Sequence, residues 1–311
     1  MDSLVGETSE ELNCNVFVPI PVRDIVALSI PSRQNSSLIE AARESLVNLH
    51  GENLFMGSLA AEDLSPDQID QIIKMRYQVF KMGKGWLTPP YDWNGIDINP
   101  NTSHQLLLNA DGSILASSRT IVETITPNDN SHSPLLVVRS SFTALNELNR
   151  GVDDPAGQNG SVLERISSVI PSSNGSLFGT IERLTFSPEQ LQGMQNRLTI
   201  GAALLVQSPV ALRAFVDLDN CQTGIIQADD AMSQIFIQTF GNGMREIMVT
   251  NQKRRKALYD HVSPDPEGEL IDDPCHTFIF DPTSLTAIVK DYNPALYKSY
   301  ITLKQTSQRT L

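Results

Sequence analysis

The residues of this chain that could do chemistry are a few charged and aromatic side chains spread widely along it. Glu182 lies within Phe178 to Phe186, a run whose composition reads as a strand. A strand carboxylate either takes a proton from an amine, directly or through a water, or pairs with a surface lysine or arginine. Asp97 and Arg119 carry opposite charges beside a predicted hairpin, where they hold an amino group and a carboxylate, or only each other. Phe80 and Trp86, near a helix end, either wall a pocket or belong to the core. Gln192-Gly193-Met194-Gln195-Asn196-Arg197, followed by Gly201-Ala202, sets small residues and one cation before a helix. Such a loop either cradles phosphates or packs a helix closely on a sheet. The five histidines fall in no spacing of the His-Glu-x-x-His kind, so no catalytic metal is expected. Cys14, Cys221 and Cys275 fit neither a disulfide framework nor a zinc motif. Cys221, near a predicted helix end, reads as an acylatable thiol or as a small buried residue.

Positioning these groups is the task of a regular succession of elements that starts at Glu52. Asn53 to Ala60 reads as a strand, and Ser65-Pro66-Asp67-Gln68 supplies an N-cap serine, a proline at N1 and a capping-box glutamine. Ile69, Ile72, Ile73 and Phe80 then recur at helical spacing. Gln105 to Asn109 and Ile114 to Glu123 flank Ala110-Asp111-Gly112-Ser113, whose Asp-Gly pair predicts a hairpin. Ser187-Pro188-Glu189-Gln190 repeats the earlier helix start, and Thr199 to Phe215 has a long apolar helix pattern. Thr223 to Gln227 reads as a buried strand, Asp229 caps a helix through Phe240 that Gly241 ends, and His276 to Phe280 is a last strand. The order predicts an α/β fold with a mixed sheet and helices on its faces.

Residues 1–50 read as an appended region, broken by prolines at its start and helical from Ser37 to Asn48. Residues 51–311 read as one domain carrying an insertion at 124–175, which holds two short apolar segments of helical character. No apolar run approaches the roughly 18 residues that span a bilayer, and Met1-Asp2-Ser3-Leu4 lacks a basic n-region, so a cytoplasmic protein without stable membrane insertion is expected. The formal net charge of -13 argues against nucleic acid as a partner. Lys253-Arg254-Arg255-Lys256 is the dense basic cluster, read as a docking patch or as solvated charge on a helix end.

The order of elements resembles the GCN5-related N-acetyltransferase (GNAT) fold, a mixed, mostly antiparallel sheet flanked by helices, here with a helical insertion. The likeness is sharpest to the branch of acyl-homoserine-lactone synthases, N-acyl amino acid synthases and GNAT fatty acyltransferases, and it spans residues 52–250. Arg76, Phe80 and Trp86 resemble that branch's arginine, phenylalanine and tryptophan after the first helix. Asp92-x-Asn94-x-x-Asp97 is similar to its acidic Glu-x-Asp-x-x-Asp motif, and Ser118-Arg119 to its hairpin arginine. Thr180-Ile181-Glu182-Arg183-Leu184-Thr185-Phe186 resembles its Glu-x-Ser-Arg strand motif, with threonine at the glutamate position. Glu182 points to the same face as Thr180, one pleat further along.

The resemblance implies an N-acyltransferase that moves a medium or long acyl chain from acyl-CoA or an acyl-carrier-protein thioester to an amine of an amino acid or peptide. On that reading Glu182 is the general base, and Arg76, Phe80, Trp86, Asp92, Asp97 and Arg119 face the substrates. Arg183, Leu184, Thr185, Gly193, Arg197 and Gly201 face the donor, and the basic cluster receives an acyl carrier protein. Two alternatives stand beside it. One is an autoinducer synthase using S-adenosylmethionine, against which the incomplete acidic motif counts; the other is a module that binds an acyl thioester or a partner without catalysis.

Overall fold

The computed structural model describes residues 17–25, 36–83, 93, 95–124, 176–192, 196–255, 257–259, 262–264, 270–292, 294, 297–298 and 300–301. Ser65 starts a helix as its neighbours predict: its side chain accepts from the Gln68 N–H, and the Gln68 side chain accepts from the Ser65 N–H at 2.9 Å. That helix, α2 (Pro66–Arg76), runs on into a π-helical turn, Tyr77–Gly83. Before it come β1 (Val18–Pro21), α1 (Ser36–His50) and β2 (Asn53–Ala60), and after it β3 (Thr102–Leu108) and β4 (Ile114–Thr124). The hairpin turn between β3 and β4 places Gly112 at φ +81°, and the Asn109 side chain accepts from the N–H groups of Asp111 and Ser113.

Beyond the 124–175 segment, which apart from Thr124 lies outside the described residues, follow β5 (Leu177–Phe186), α3 (Asn196–Asp217), β6 (Thr223–Asp229) and α4 (Asp230–Phe240). Asp229 caps α4 by accepting from the Met232 N–H, and Gly241 ends it at φ +49°. The chain closes with β7 (Met244–Arg255), the short β8 (Ala257–Tyr259) and β9 (Val262–Pro264), β10 (Leu270–Phe280) and α5 (Pro282–Tyr292).

Eight strands form one sheet in the order β1-β2-β3-β4-β5-β6-β10-β7. Every pairing is antiparallel except β5 with β6, so the sheet is mixed and mostly antiparallel. Side chains alternate along β3 and β4, so His104 and Arg119 point to one face and Gln105 and Thr120 to the other. α2 covers the first face, where Arg76 reaches Asp97. α3 covers the second, where Asp217 Oδ2 accepts from Gln105 at 3.0 Å and from Ser58 at 2.8 Å. α1 packs against α3, and Phe215 of α3 meets Phe236 and Phe240 of α4 edge-on. No helix among the described residues is long and apolar enough to cross a membrane.

Residues 17–25 and α1 join this architecture directly. Ile20, Val22, Ile25, Ala42 and Leu46 share one buried cluster with Leu205, Val206 and Phe215. β1 pairs with β2, and Val22 N–H donates to the Glu52 carbonyl at 2.8 Å. Residues of β1 alternate, so Pro19 and Pro21, which have no N–H, turn their nitrogens to the outer edge.

Two sequence expectations are corrected. Ser187-Pro188-Glu189-Gln190 starts no helix; residues 188–192 form a turn. Ser187 N–H is drawn back to the Leu115 carbonyl at 2.8 Å, and Gln192 N–H closes the turn on the Glu189 carbonyl at 3.1 Å. Lys253, Arg254 and Arg255 lie in β7 rather than on a helix end, in register with Asp272, Ile271 and Leu270 of β10.

Candidate active site

β5 and β6 pair over four positions only, Phe178–Ile181 with Thr223–Ile226. Past them β5 continues to Phe186 on β4 and β6 to Asp229 on β10 without pairing to each other, so the two strands part within the sheet. Glu182 is the first β5 residue beyond the last pair. At the base of the pairing Gly179 sits opposite Gly224. A Cβ at Gly179 would lie 2.6 Å from Leu218, and one at Gly224 would lie 2.3 Å from the Phe280 ring, so both glycines admit close packing.

The same place carries a β-bulge. Ser117 faces Thr185 and Arg119 faces Glu182, so β5 fits one more residue than β4 between the two pairs. Arg183 takes φ +55° there, a left-handed backbone that costs an ordinary residue about 1 kcal/mol or more. Its guanidinium lies 5.5 Å from the centre of the Phe80 ring, which the π-helical turn after α2 brings over β5. A bulge leaves its extra residue out of the ladder, here beside the parting strands.

Four ionised side chains, Glu182 among them, meet here from separate elements. Arg76 Nη1, at the end of α2, donates to Asp97 Oδ1 at 2.9 Å. Arg119 Nη1 lies 2.9 Å from that same oxygen, and Arg119 Nη2 pairs with Glu182 Oε2. Arg76, Asp97 and Arg119 are fully buried, while the Glu182 side chain is 10 % exposed. Buried charges persist only when paired, and here two cations offset two anions. Burial opposes the charge on Arg119, yet Glu182 and Asp97 together raise its pKa above the ordinary arginine value. Two polar atoms on this face of β5, Glu182 Oε1 and Thr180 Oγ1, are buried and have no hydrogen-bond partner among the described residues.

His104, cross-strand neighbour of Arg119, completes the cluster. Its Nε2 lies 3.0 Å from the Asp97 backbone carbonyl. A carbonyl only accepts, so Nε2 carries the proton in the neutral ring and Nδ1 presents a lone pair. Burial pushes the His104 pKa down to about 4, with the Asp97 carbonyl opposing the shift. The imidazole stacks on Trp93 at 5.1 Å, and the Arg76 guanidinium lies 5.7 Å from the centre of the same indole.

The structure therefore brings Arg76, Phe80, Asp97, Arg119, Glu182 and Arg183 together on one face, with Leu184 and Thr185 following the bulge. Gly201 faces α1 instead: a Cβ there would lie 3.1 Å from that of Ala42. Arg197 falls in the first turn of α3; Trp86, Asp92, Asn94 and Gly193 lie outside the described residues. Cys221 carries a buried thiol. His104 and Trp93 escaped the sequence reading. His104 comes opposite Arg119 through a register shift between Leu107 and Leu108, which the turn at 109–113 alone does not give; Trp93 carries no periodic signal.

No protein-family model matches the chain, and no curated protein matches it in sequence. Solved structures alike in fold include TofI in a complex with an inhibitor and MTA, 14 % identical, with TM-score 0.42 over 78 % of this chain and 98 % of that one. FeeM, an N-acyl amino acid synthase from uncultured soil microbes, is 9 % identical, with TM-score 0.39 over 75 % and 93 %. BjaI, a CoA-dependent acyl-homoserine lactone synthase solved with SAM and isopentyl-CoA, is 14 % identical, with TM-score 0.36 over 76 % and 88 %. FeeM and BjaI are of the two synthase kinds that the sequence motifs resemble.

Proposed function

We propose that the chain is an N-acyltransferase that moves an acyl group from acyl-CoA or an acyl-carrier-protein thioester to an amine of an amino acid or peptide. The observation that carries this reading is the Glu182 carboxylate: one oxygen is held by Arg119, and the other has no partner among the described residues where β5 and β6 part. Aminolysis of a thioester needs a base for the ammonium, donors for the oxyanion and close approach of the two reactants. Glu182 Oε1 takes the proton from the acceptor ammonium, and the free amine attacks the thioester carbonyl. Backbone N–H groups beside the bulge at Arg183 face the developing oxyanion. Collapse breaks the carbon–sulfur bond, giving the amide, and the thiolate leaves and takes up a proton. Arg76 holds Asp97, Asp97 holds Arg119, and Arg119 holds the base; we assign them this supporting role because all three are buried. A medium or long acyl chain, the acidic carrier at the basic end of β7, and the peptide acceptor follow from the motif resemblance alone.

The test is mass spectrometry and thiol release with a panel of acyl-CoAs and acyl carrier proteins, offered free amino acids and basic peptides. An acylated product with stoichiometric thiol is expected. Glu182→Gln should lower turnover by about 100-fold or more and leave donor binding unchanged. Thioester binding without thiol release would replace the enzyme with a binding module.

A further inference from the structure

Where β5 and β6 part, each strand turns a polar side chain to the same face. Thr180 pairs with Ile225 and Ile181 with Ile226, so Glu182 and Gln227 are the next residues of the two strands, and alternation puts Thr180, Glu182 and Gln227 on one face. The two longer side chains are each held from the outer side. Arg119 of β4 takes Glu182 Oε2, and Thr277 of β10, in register with Gln227, accepts from Gln227 Nε2 at 3.0 Å. Glu182 Oε1 is thereby turned away from Arg119, and Gln227 Oε1 away from β10. Thr180 lies one pleat below at 1 % exposure, and its Oγ1, like Glu182 Oε1, is buried without a hydrogen-bond partner among the described residues. Buried polar atoms are costly to leave unpaired, so their gathering on one face marks a place that a guest completes.

The chemistry of that guest follows from what the atoms can bond. A carboxylate oxygen and an amide oxygen only accept, and a threonine hydroxyl accepts as well as donates. Three acceptors, one of them on a carboxylate, suit a primary ammonium, which brings three N–H donors and a positive charge. A secondary ammonium brings two donors and a hydroxyl one. We propose that Thr180 and Gln227, together with Glu182, form the subsite for the acceptor's ammonium group and restrict the acceptor to primary amines. The proposal rests on the acyltransferase reading and adds two specificity-determining residues to it. Once Glu182 has taken one proton, rotation about the carbon–nitrogen bond turns the lone pair toward the thioester.

The experiment compares kcat/KM for the fastest amino acid or peptide acceptor, its N-methyl derivative and its hydroxy analogue, with one acyl-CoA and the full chain, in wild type, Thr180→Val and Thr180→Ser. Wild type should favour the primary amine over the N-methyl form by about ten-fold or more, because the N-methyl form leaves one buried acceptor unpaired. Thr180→Val keeps the shape and removes one acceptor. It should lower kcat/KM for the primary amine, chiefly through KM, about ten-fold more than for the N-methyl form, and Thr180→Ser should restore the preference. A merely structural Thr180 would lower both rates alike; that result overturns the proposal, as does a wild type that acylates the N-methyl or hydroxy analogue as well as the primary amine. Absence of thiol release with every acceptor overturns the acyltransferase reading itself. Gln227→Met, at a half-buried position, supplies the same ratio if Thr180→Val does not fold.

Discussion

Asp97 is the residue on which the cluster turns. Its carboxylate oxygen Oδ1 meets two guanidinium groups, and its backbone carbonyl meets His104, so one residue serves both the charged and the neutral side of the site. Asp97→Asn keeps the shape but leaves the two buried arginines with Glu182 as the remaining carboxylate of the cluster. Removing one partner from a buried ion-pair network costs about 3–5 kcal/mol. Urea unfolding should report a loss of that size, whereas a loss below about 1 kcal/mol would mean that the arginines are solvated in the native state. At this scale the sequence showed residue types but not their partners. Asp97 and Arg119 were legible as opposite charges, yet a surface pair and a buried network look the same on paper. The arrangement became visible only once the register of β3, β4 and β5 put His104, Arg119 and Glu182 in a row.

Elements whose ends are written in local chemistry were readable in advance. Ser65 with Gln68, Asp229 before α4 and the Asp111-Gly112 turn each satisfy their own backbone groups within a few residues, so no distant partner is needed to specify them. Ser187-Pro188 has the same chemistry and fails to start a helix, because tertiary bonds to Leu115 and His50 take its backbone first. β1 and the long β7 lacked a signal of their own and are strands only through their pairing with β2 and β10. The bulge was equally hidden, since nothing near Arg183 calls for a left-handed backbone. The glycine pair below it gives a test at this scale. Gly224→Ala must push the Phe280 ring aside, and overpacking of this kind costs about 1–3 kcal/mol. Thermal unfolding of the variant should show a lowered midpoint, whereas an unchanged midpoint would show that the ring moves without strain.

Across the whole molecule, acid sensitivity should carry the signature of the buried imidazole. The unfolded chain protonates His104 near the ordinary pKa of 6.5, while the native state resists until about 4. Below pH 6.5 the unfolded state therefore binds more protons and stability falls, by about 2 kcal/mol at pH 5, levelling off under the folded pKa. Urea midpoints measured from about pH 7 to 4.5 for wild type and His104→Phe should differ in slope over this window. Parallel slopes would mean that His104 charges freely in the native state. His50, also lowered by burial, contributes in the same direction and remains in both proteins.

The two ends of the sheet are not equivalent, and the difference shapes how this protein would misassemble. At β7 a twelve-residue strand closes the strand order. At β1 the prolines at 19 and 21 remove the outward donors that a further strand would need. Among the described residues, strand addition at the β1 end is thus blocked, so a chain recruited elsewhere on the sheet meets there a stopper rather than a link.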